Sequence, residues 1–216
     1  MEDISSGDNL LNTRNGPLIT PSMYFAIFLL MVYVAFFYFF AFVPIDGQSM
    51  EPGIHDKQHC FVLRRGFSVE HGDIVTVNVS KTSKEHTIIK RIVATGGDRL
   101  IFMKTHDLIY VDLYLCKSGE NKFIKLDERY IKEKMKSTFN VYDYADSDFS
   151  TPLLSFTDEV ETESAEYVCE NYEKFVIRIP QNNIFVLGDN RNYSRDSRLY
   201  GPIPVEKITS KVLCTY

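Results

Sequence analysis

The hydrophobic pattern of the chain is dominated by one uninterrupted run. From Ser22 to Val43 the sequence SMYFAIFLLMVYVAFFYFFAFV carries no charge. Wound as a helix it reaches roughly 33 Å, against a bilayer hydrocarbon core of roughly 30 Å. Pro21 and Pro44 bracket it, which suits a helix with sharp ends. A cleaved signal peptide would show a basic leader, a shorter apolar stretch and small residues at the cut. Here the leader sets Arg14 against Glu2, Asp3 and Asp8, and the run ends Ala41-Phe42-Val43. The pattern predicts an N-terminal tail over 1–21 and a retained transmembrane helix over 22–43.

After Pro44 the pattern changes to short apolar runs bounded by turn residues. Cys60-Phe61-Val62-Leu63, Asp73-Ile74-Val75-Thr76-Val77 and Phe175-Val176-Ile177-Arg178-Ile179 all read as strands. Phe175 to Ile179, Pro180-Gln181-Asn182-Asn183 and Ile184 to Leu187 together predict a hairpin. Between Met103 and Phe175 the character shifts. Leu126 to Lys136 predicts a short helix, and Thr157 to Glu173 is rich in acids without a base, as in a solvated segment. The fold class expected is mainly β: one anchored β-rich domain over 44–216. Its core would be about 44–103 and 175–216, with an inserted α+β or partly disordered lobe over about 104–174.

Composition narrows the function. Lys and Arg total 24 against 29 Asp and Glu, a net charge of -5. Nucleic acid is excluded as a general partner, since such binders carry a basic patch and a high pI. The 4 cysteines, Cys60, Cys116, Cys169 and Cys214, are too few for a disulfide scaffold and too dispersed for a zinc ribbon. His55 and His59 are spaced like ligands but have no evident acidic third partner, and there is no HExxH. No metal and no cofactor are expected.

Two residues carry candidate chemistry. Ser49 lies between turn signals, Gly47 on one side and Pro52-Gly53 on the other, just beyond the apolar run. A serine hydroxyl is a weak nucleophile without a base. Lys90 sits in the strand-like run Thr87-Ile88-Ile89-Lys90-Arg91-Ile92-Val93-Ala94, where alternation gives it the face of Ile88 and Ile92. Apolar neighbours disfavour the ammonium and lower its pKa. At an ordinary pKa of ~10.4 only about one lysine in 2,500 is neutral at pH 7, so a base needs a drop of ~2–3 units. Taken singly, a loop serine is usually a cap and a Lys-Arg pair in a strand usually guards a sheet edge.

Taken in order, the blocks resemble a family. They are Ser49-Met50-Glu51-Pro52, Gly72-Asp73-Ile74-Val75, Ile89-Lys90-Arg91-Ile92-Val93 with Gly96-Gly97-Asp98, and the run from Gly188-Asp189-Asn190-Arg191 to Ser194-Arg195-Asp196-Ser197-Arg198. This succession after a transmembrane segment resembles the type I signal peptidases, membrane-anchored serine proteases with a Ser/Lys dyad. The resemblance covers about a third of the chain and leaves Met103 to Phe175 uncovered.

The resemblance implies that Ser49 is the acylated nucleophile and Lys90 the general base. It also implies that Ser194 hydrogen-bonds the Lys90 amine, that Asp189 pairs with Arg91, and that Asp196 pairs with Arg198. Gly47 stands where some members carry an oxyanion-binding serine, so the backbone N–H of Ser49 is the expected donor. Gly53, Asn192 and Tyr193 depart from the common pattern. The implied substrates are exported preproteins with N-terminal signal peptides, cut after small residues at the first and third positions before the bond. The implied surroundings are a lipid bilayer and the secretion translocon. Lys57, Arg64 and Arg65 outnumber Arg14, which by charge alone would keep the C-terminal domain cytoplasmic. The family's chemistry overrides that count: plasma (inner) membrane, N-terminus cytoplasmic, catalytic domain on the outer face, in preference to an organelle inner membrane. Two other readings remain open from the residues: a specialised Ser/Lys peptidase for one secreted or pilin-type substrate, and a non-catalytic membrane-tethered β-domain scaffold.

Overall fold

A computed structural model describes residues 20–80, 86–105, 107, 109–136 and 174–215. The acidic stretch Thr157 to Glu173, with Cys169, lies outside the described residues. The chain divides into two units, residues 1–38 and 39–216. All but the last residue of α1 (Pro21–Phe39) falls in the first; the helix has a mean hydropathy of 2.1 and none of its side chains is buried, so its length and composition fit a membrane span.

The apolar run does not stay helical to its end. Phe40 to Val43, expected in the helix, belong to β1 (Phe40–Pro44), which pairs antiparallel with β2 (His59–Leu63). Cross-strand ring packing accounts for the switch: Phe40 and Phe42 lie 5.2 and 5.0 Å from the Phe61 ring.

The remaining strands are β3 (Ile74–Asn78), β4 (Thr87–Thr95), β5 (Arg99–Lys104), β6 (Tyr110–Cys116), β7 (Ile124–Lys125), β8 (Met135–Lys136), β9 (Lys174–Arg178), β10 (Asn183–Leu187), β11 (Ile203–Pro204) and β12 (Ile208–Thr215). They form two sheets. A 7-stranded sheet runs β1-β2-β12-β3-β4-β10-β11, and a 5-stranded sheet runs β7-β6-β5-β9 with β8 against β6. Val93, Ala94, Phe185 and Leu187 of the larger sheet pack with Leu100, Phe102, Leu113, Leu115 and Ile177 of the smaller one. The mainly β class is therefore as the sequence predicts.

Two local expectations fail. Phe175–Leu187 is not a hairpin, because β9 pairs with β5 and β10 pairs with β4. The turn-rich Pro180–Asn183 stretch instead crosses between sheets, beside the oppositely directed crossing at Gly96-Gly97-Asp98. Gly97 N–H donates to Ile179 O at 2.8 Å and Ile179 N–H to Asp98 O at 2.9 Å. A Cβ on Gly96 would meet the Asn182 nitrogen at 2.9 Å, so only glycine lets the crossings touch. Leu126–Lys136 forms no helix. Turns join β7 to β8, and the side chains of Leu126 and Met135 are drawn into the core cluster. Helix propensity is a weak prior against such packing. The region read as an insert thus supplies β6, whose Leu113, Leu115 and Cys116 are buried.

Candidate active site

The loop after β1 is fixed by its apolar members. Ile45, Met50 and Ile54 are buried against Cys60, Val62 and Ile89, and burying such a side chain is worth about 1.5–3 kcal/mol. Gly47 adopts φ +103, a left-handed conformation suited to glycine, and its N–H donates to Asp56 Oδ1 at 2.7 Å. Ile54 N–H closes the turn on Met50 O at 3.0 Å. Ser49 stays half-buried on the rim of this anchored turn. Its own N–H donates to no acceptor among the described residues.

Lys90 approaches from β4. Its Nζ donates to Ser49 Oγ at 2.6 Å and to the Ile89 carbonyl at 2.6 Å. The residue is 3% exposed. Burial lowers its pKa from 10.5 to about 8, with Asp196 and Asp189 resisting and Arg198 assisting the drop. At pH 7 roughly one amine in ten is then neutral, against about one in three thousand for an unperturbed lysine.

The loop after β10 surrounds this pair. Asp189 accepts from Arg91 Nε at 2.9 Å and Nη2 at 2.7 Å, a bidentate pair, and Arg91 Nη1 also donates to Gly72 O at 2.8 Å. Asp196 accepts from Arg198 Nε and Nη2, both at 2.8 Å, with both side chains fully buried. Burial opposes the Asp196 charge, but Arg198 and the Gly188 N–H outweigh it and hold the carboxyl below its usual range. Asp196 also caps the short helix α2 (Ser197–Tyr200) by accepting from Arg198 N.

One expected contact is not formed. The Ser194 hydroxyl, expected on the Lys90 amine, contributes to keeping Asp196 charged, yet its buried oxygen has no hydrogen bond of normal geometry to any described residue. The Lys90 amine bonds the Ile89 carbonyl instead. Ser194 is nevertheless close by: a Cβ on Gly188 would lie 2.2 Å from Ser194 Oγ and 2.5 Å from the Ser49 carbonyl oxygen. Gly188 is thus the point where the two loops touch, and no larger residue fits.

Two neighbours were not singled out by sequence reasoning. Asn190 N–H donates to Ser49 O at 3.0 Å, and Asn190 Nδ2 donates to Gln48 O at 3.0 Å. Arg191 is 1% exposed, bonds Gly188 O through Nε at 3.0 Å and pairs with Glu128. An asparagine after an aspartate in a polar loop carries no sequence signal of this role, and Glu128 lies 63 positions away from its arginine.

A hydroxyl bonded to a buried lysine of lowered basicity is the arrangement that a serine peptidase with a lysine base requires. The comparison with known families names the class. Residues 19–216 match the model of the family described as signal peptidase, peptidase S26, and the chain belongs to that family. Among curated relatives, a signal peptidase I of Aquifex aeolicus (strain VF5) is 29% identical over 192 residues, covering 80% of this chain and 73% of its own. A signal peptidase I of Streptococcus pneumoniae (strain TIGR4) is 24% identical over 189 residues, 87% of each chain. A signal peptidase IB of Staphylococcus aureus (strain Mu50) is 27% identical over 171 residues, 78% of this chain and 73% of its own.

Proposed function

We propose that this chain is a membrane-anchored serine endopeptidase that removes signal peptides from exported preproteins, with Ser49 as nucleophile and Lys90 as general base. The observation that carries the reading is the 2.6 Å contact between Ser49 Oγ and a buried Lys90 Nζ. Neutral Lys90 takes the Ser49 proton as the oxygen attacks the scissile carbonyl. The Ser49 N–H, free of acceptors among the described residues, donates to the oxyanion. The tetrahedral intermediate collapses, the amine leaves with a proton from Lys90, and an ester on Ser49 remains. Water, deprotonated by Lys90, hydrolyses that ester and restores the enzyme. Arg91–Asp189 and Asp196–Arg198 stiffen the walls of the site. Small residues at the first and third positions before the bond would select the cleavage site.

The apolar α1 supports a membrane anchor in a lipid bilayer. The chemistry of exported substrates favours the plasma (inner) membrane with the N-terminus in the cytoplasm and the catalytic unit outside, within reach of the secretion translocon. The test is cleavage of a purified preprotein by the detergent-solubilised full chain. Wild type should release the signal peptide and Ser49→Ala should not. Equal cleavage by a folded Ser49→Ala protein would reject Ser49 as nucleophile.

A further inference from the structure

The segment after β7, together with β8, contacts the loop after β10 at several points. Arg191 Nη1 donates to Glu128 Oε1, and Arg191 Nη2 to the Tyr130 hydroxyl at 3.4 Å. The Tyr130 ring lies 4.2 Å from the Arg91 guanidinium and 5.8 Å from that of Arg191. Lys136 N–H donates to Asn192 Oδ1 at 3.0 Å, and Asn192 Nδ2 donates to Lys134 O at 3.2 Å. Arg198 Nη1 points at Met135 Sδ at 3.0 Å. Each contact joins residues far apart in sequence; all land on the loop that borders Ser49 and Lys90 except the Tyr130–Arg91 contact, which lands on β4 next to Lys90.

The connection to the reacting atoms runs through Arg191. Its guanidinium is fully buried, so it needs a countercharge, and Glu128 is the carboxylate that salt-bridges it. While one edge pairs with Glu128, its Nε holds the Gly188 carbonyl at 3.0 Å. The Gly188 N–H is held by Asp196 Oδ2 at 3.0 Å. Gly188 is therefore pinned on both sides of its backbone, at the spot that packs against the Ser49 carbonyl and Ser194. Two residues on, Asn190 bonds the backbone on either side of the Ser49 amide.

We propose that Glu128 and Tyr130 are positioning residues for the peptidase site: they brace Arg191 and Arg91, and through Gly188 hold the Gly188–Arg198 loop against the Ser49–Lys90 pair. The segment read from sequence as part of a peripheral insert is thus a structural element of the active site. The proposal rests on the peptidase reading for its kinetic consequence but not for its geometry.

The brace has a signature that a general contribution to stability lacks. Lys90 faces Ser49 and the Ile89 carbonyl by hydrogen bonds and Asp196, Arg198 and Asp189 by charge. Glu128 faces Arg191, Tyr130 and Asp112. Glu128 is thus absent from the groups acting directly on the amine. If the loop loosens, water reaches the Lys90 amine and its basicity climbs back toward that of a free lysine. The acid limb of the rate profile then moves to higher pH.

The experiment uses the full chain in detergent, well below its melting temperature, as wild type, Glu128→Gln and Tyr130→Leu. Hydrogen exchange by mass spectrometry reads the peptide over Val186–Asn192, and preprotein cleavage reads kcat/KM against pH. Both variants should speed exchange in that peptide by about tenfold or more while leaving β5 and β6 protected. Each should lower kcat/KM at pH 7 by about tenfold and shift the acid limb upward. Tyr130→Leu keeps the test decisive if Glu128→Gln does not fold. Unchanged exchange in a folded variant overturns the brace. So does an acid limb that stays in place while the wild type is active. A wild type that cleaves no preprotein would sink the peptidase reading instead and leave the exchange result to decide the brace.

Discussion

Lys90 and Arg91 are consecutive on β4, and their surroundings differ sharply. Lys90 is almost wholly buried and has hydrogen-bond acceptors, a hydroxyl and a carbonyl, but no carboxylate in contact. Its pKa falls to about 8 because burial dominates. Arg91 is also withdrawn from water, and burial also works against its charge, but a bidentate bond to Asp189 more than compensates and its pKa rises. One strand thus holds one amine near neutrality and one guanidinium firmly charged. The deciding variable is the partner rather than the depth. A useful base emerges where a buried cation is denied a salt bridge, and a rigid wall where it is given one.

The largest way to break this contrast is Lys90→Arg, which keeps a long cationic side chain but cannot release its proton. Activity on a preprotein should fall by about 10³-fold or more, measured under single-turnover conditions. In wild type the rate should rise with pH and level off above about 8, because a base in the role proposed for Lys90 must be unprotonated. A rate flat from pH 6 to 9, with chemistry rate-limiting, would remove Lys90 as the base.

On the Arg91 side the effect should appear in stability. Arg91→Met leaves Asp189 buried and without its countercharge, which should cost about 2–4 kcal/mol in denaturant unfolding. Lys90→Met should act in the opposite direction. In the folded state the lysine pKa is depressed, so below about 8 holding its proton destabilises the native protein relative to an unfolded chain with a pKa of 10.5. The penalty is fully present below 8 and fades as pH rises toward 10.5, because there the unfolded lysine alone keeps its proton. The variant should therefore be inactive yet about 1–3 kcal/mol more stable than wild type at pH 7, with the gap narrowing as pH rises from 8 to 10.5. A gap independent of pH would mean that the amine is not a strained cation.

How much of this was legible in the sequence depended on range. Ser49 and Lys90 could be singled out locally, one between turn residues and one among isoleucines, and their order after the apolar run made them a pair. The Arg91–Asp189 and Asp196–Arg198 pairs were expected from the resemblance. The Ser194–Lys90 bond was expected too and is replaced by a bond to a main-chain carbonyl, which no side-chain pattern encodes. Pro180–Asn183 has the composition of a hairpin turn, and only the opposing Gly96-Gly97 reveals it as a crossing between sheets. Glu128 and Tyr130 sit among Lys, Asp and Arg residues in a stretch that reads as a short helix. Their role depends on Arg191, which a linear pattern cannot join to them.

The smallest expected effect concerns the loop that ties the two sides together. Asp189 reaches Arg91, while the next residue, Asn190, reaches the backbone of the turn that carries Ser49. In a trans peptide the carbonyl and the following N–H point in opposite directions, so holding Gln48 O fixes the direction of the Ser49 N–H. That N–H is the oxyanion donor in the proposed mechanism, and its value depends on being aimed before charge develops. Asn190→Ala removes the Nδ2 bond to Gln48 O but keeps the backbone bond to Ser49 O. It should lower kcat by about tenfold with KM nearly unchanged, because the lost alignment matters only in the transition state. The acid limb near pH 8 should stay in place, since the Lys90 surroundings are untouched. A loss confined to KM would place Asn190 in substrate binding instead. A shifted acid limb would show that the two sides of this loop cannot be separated.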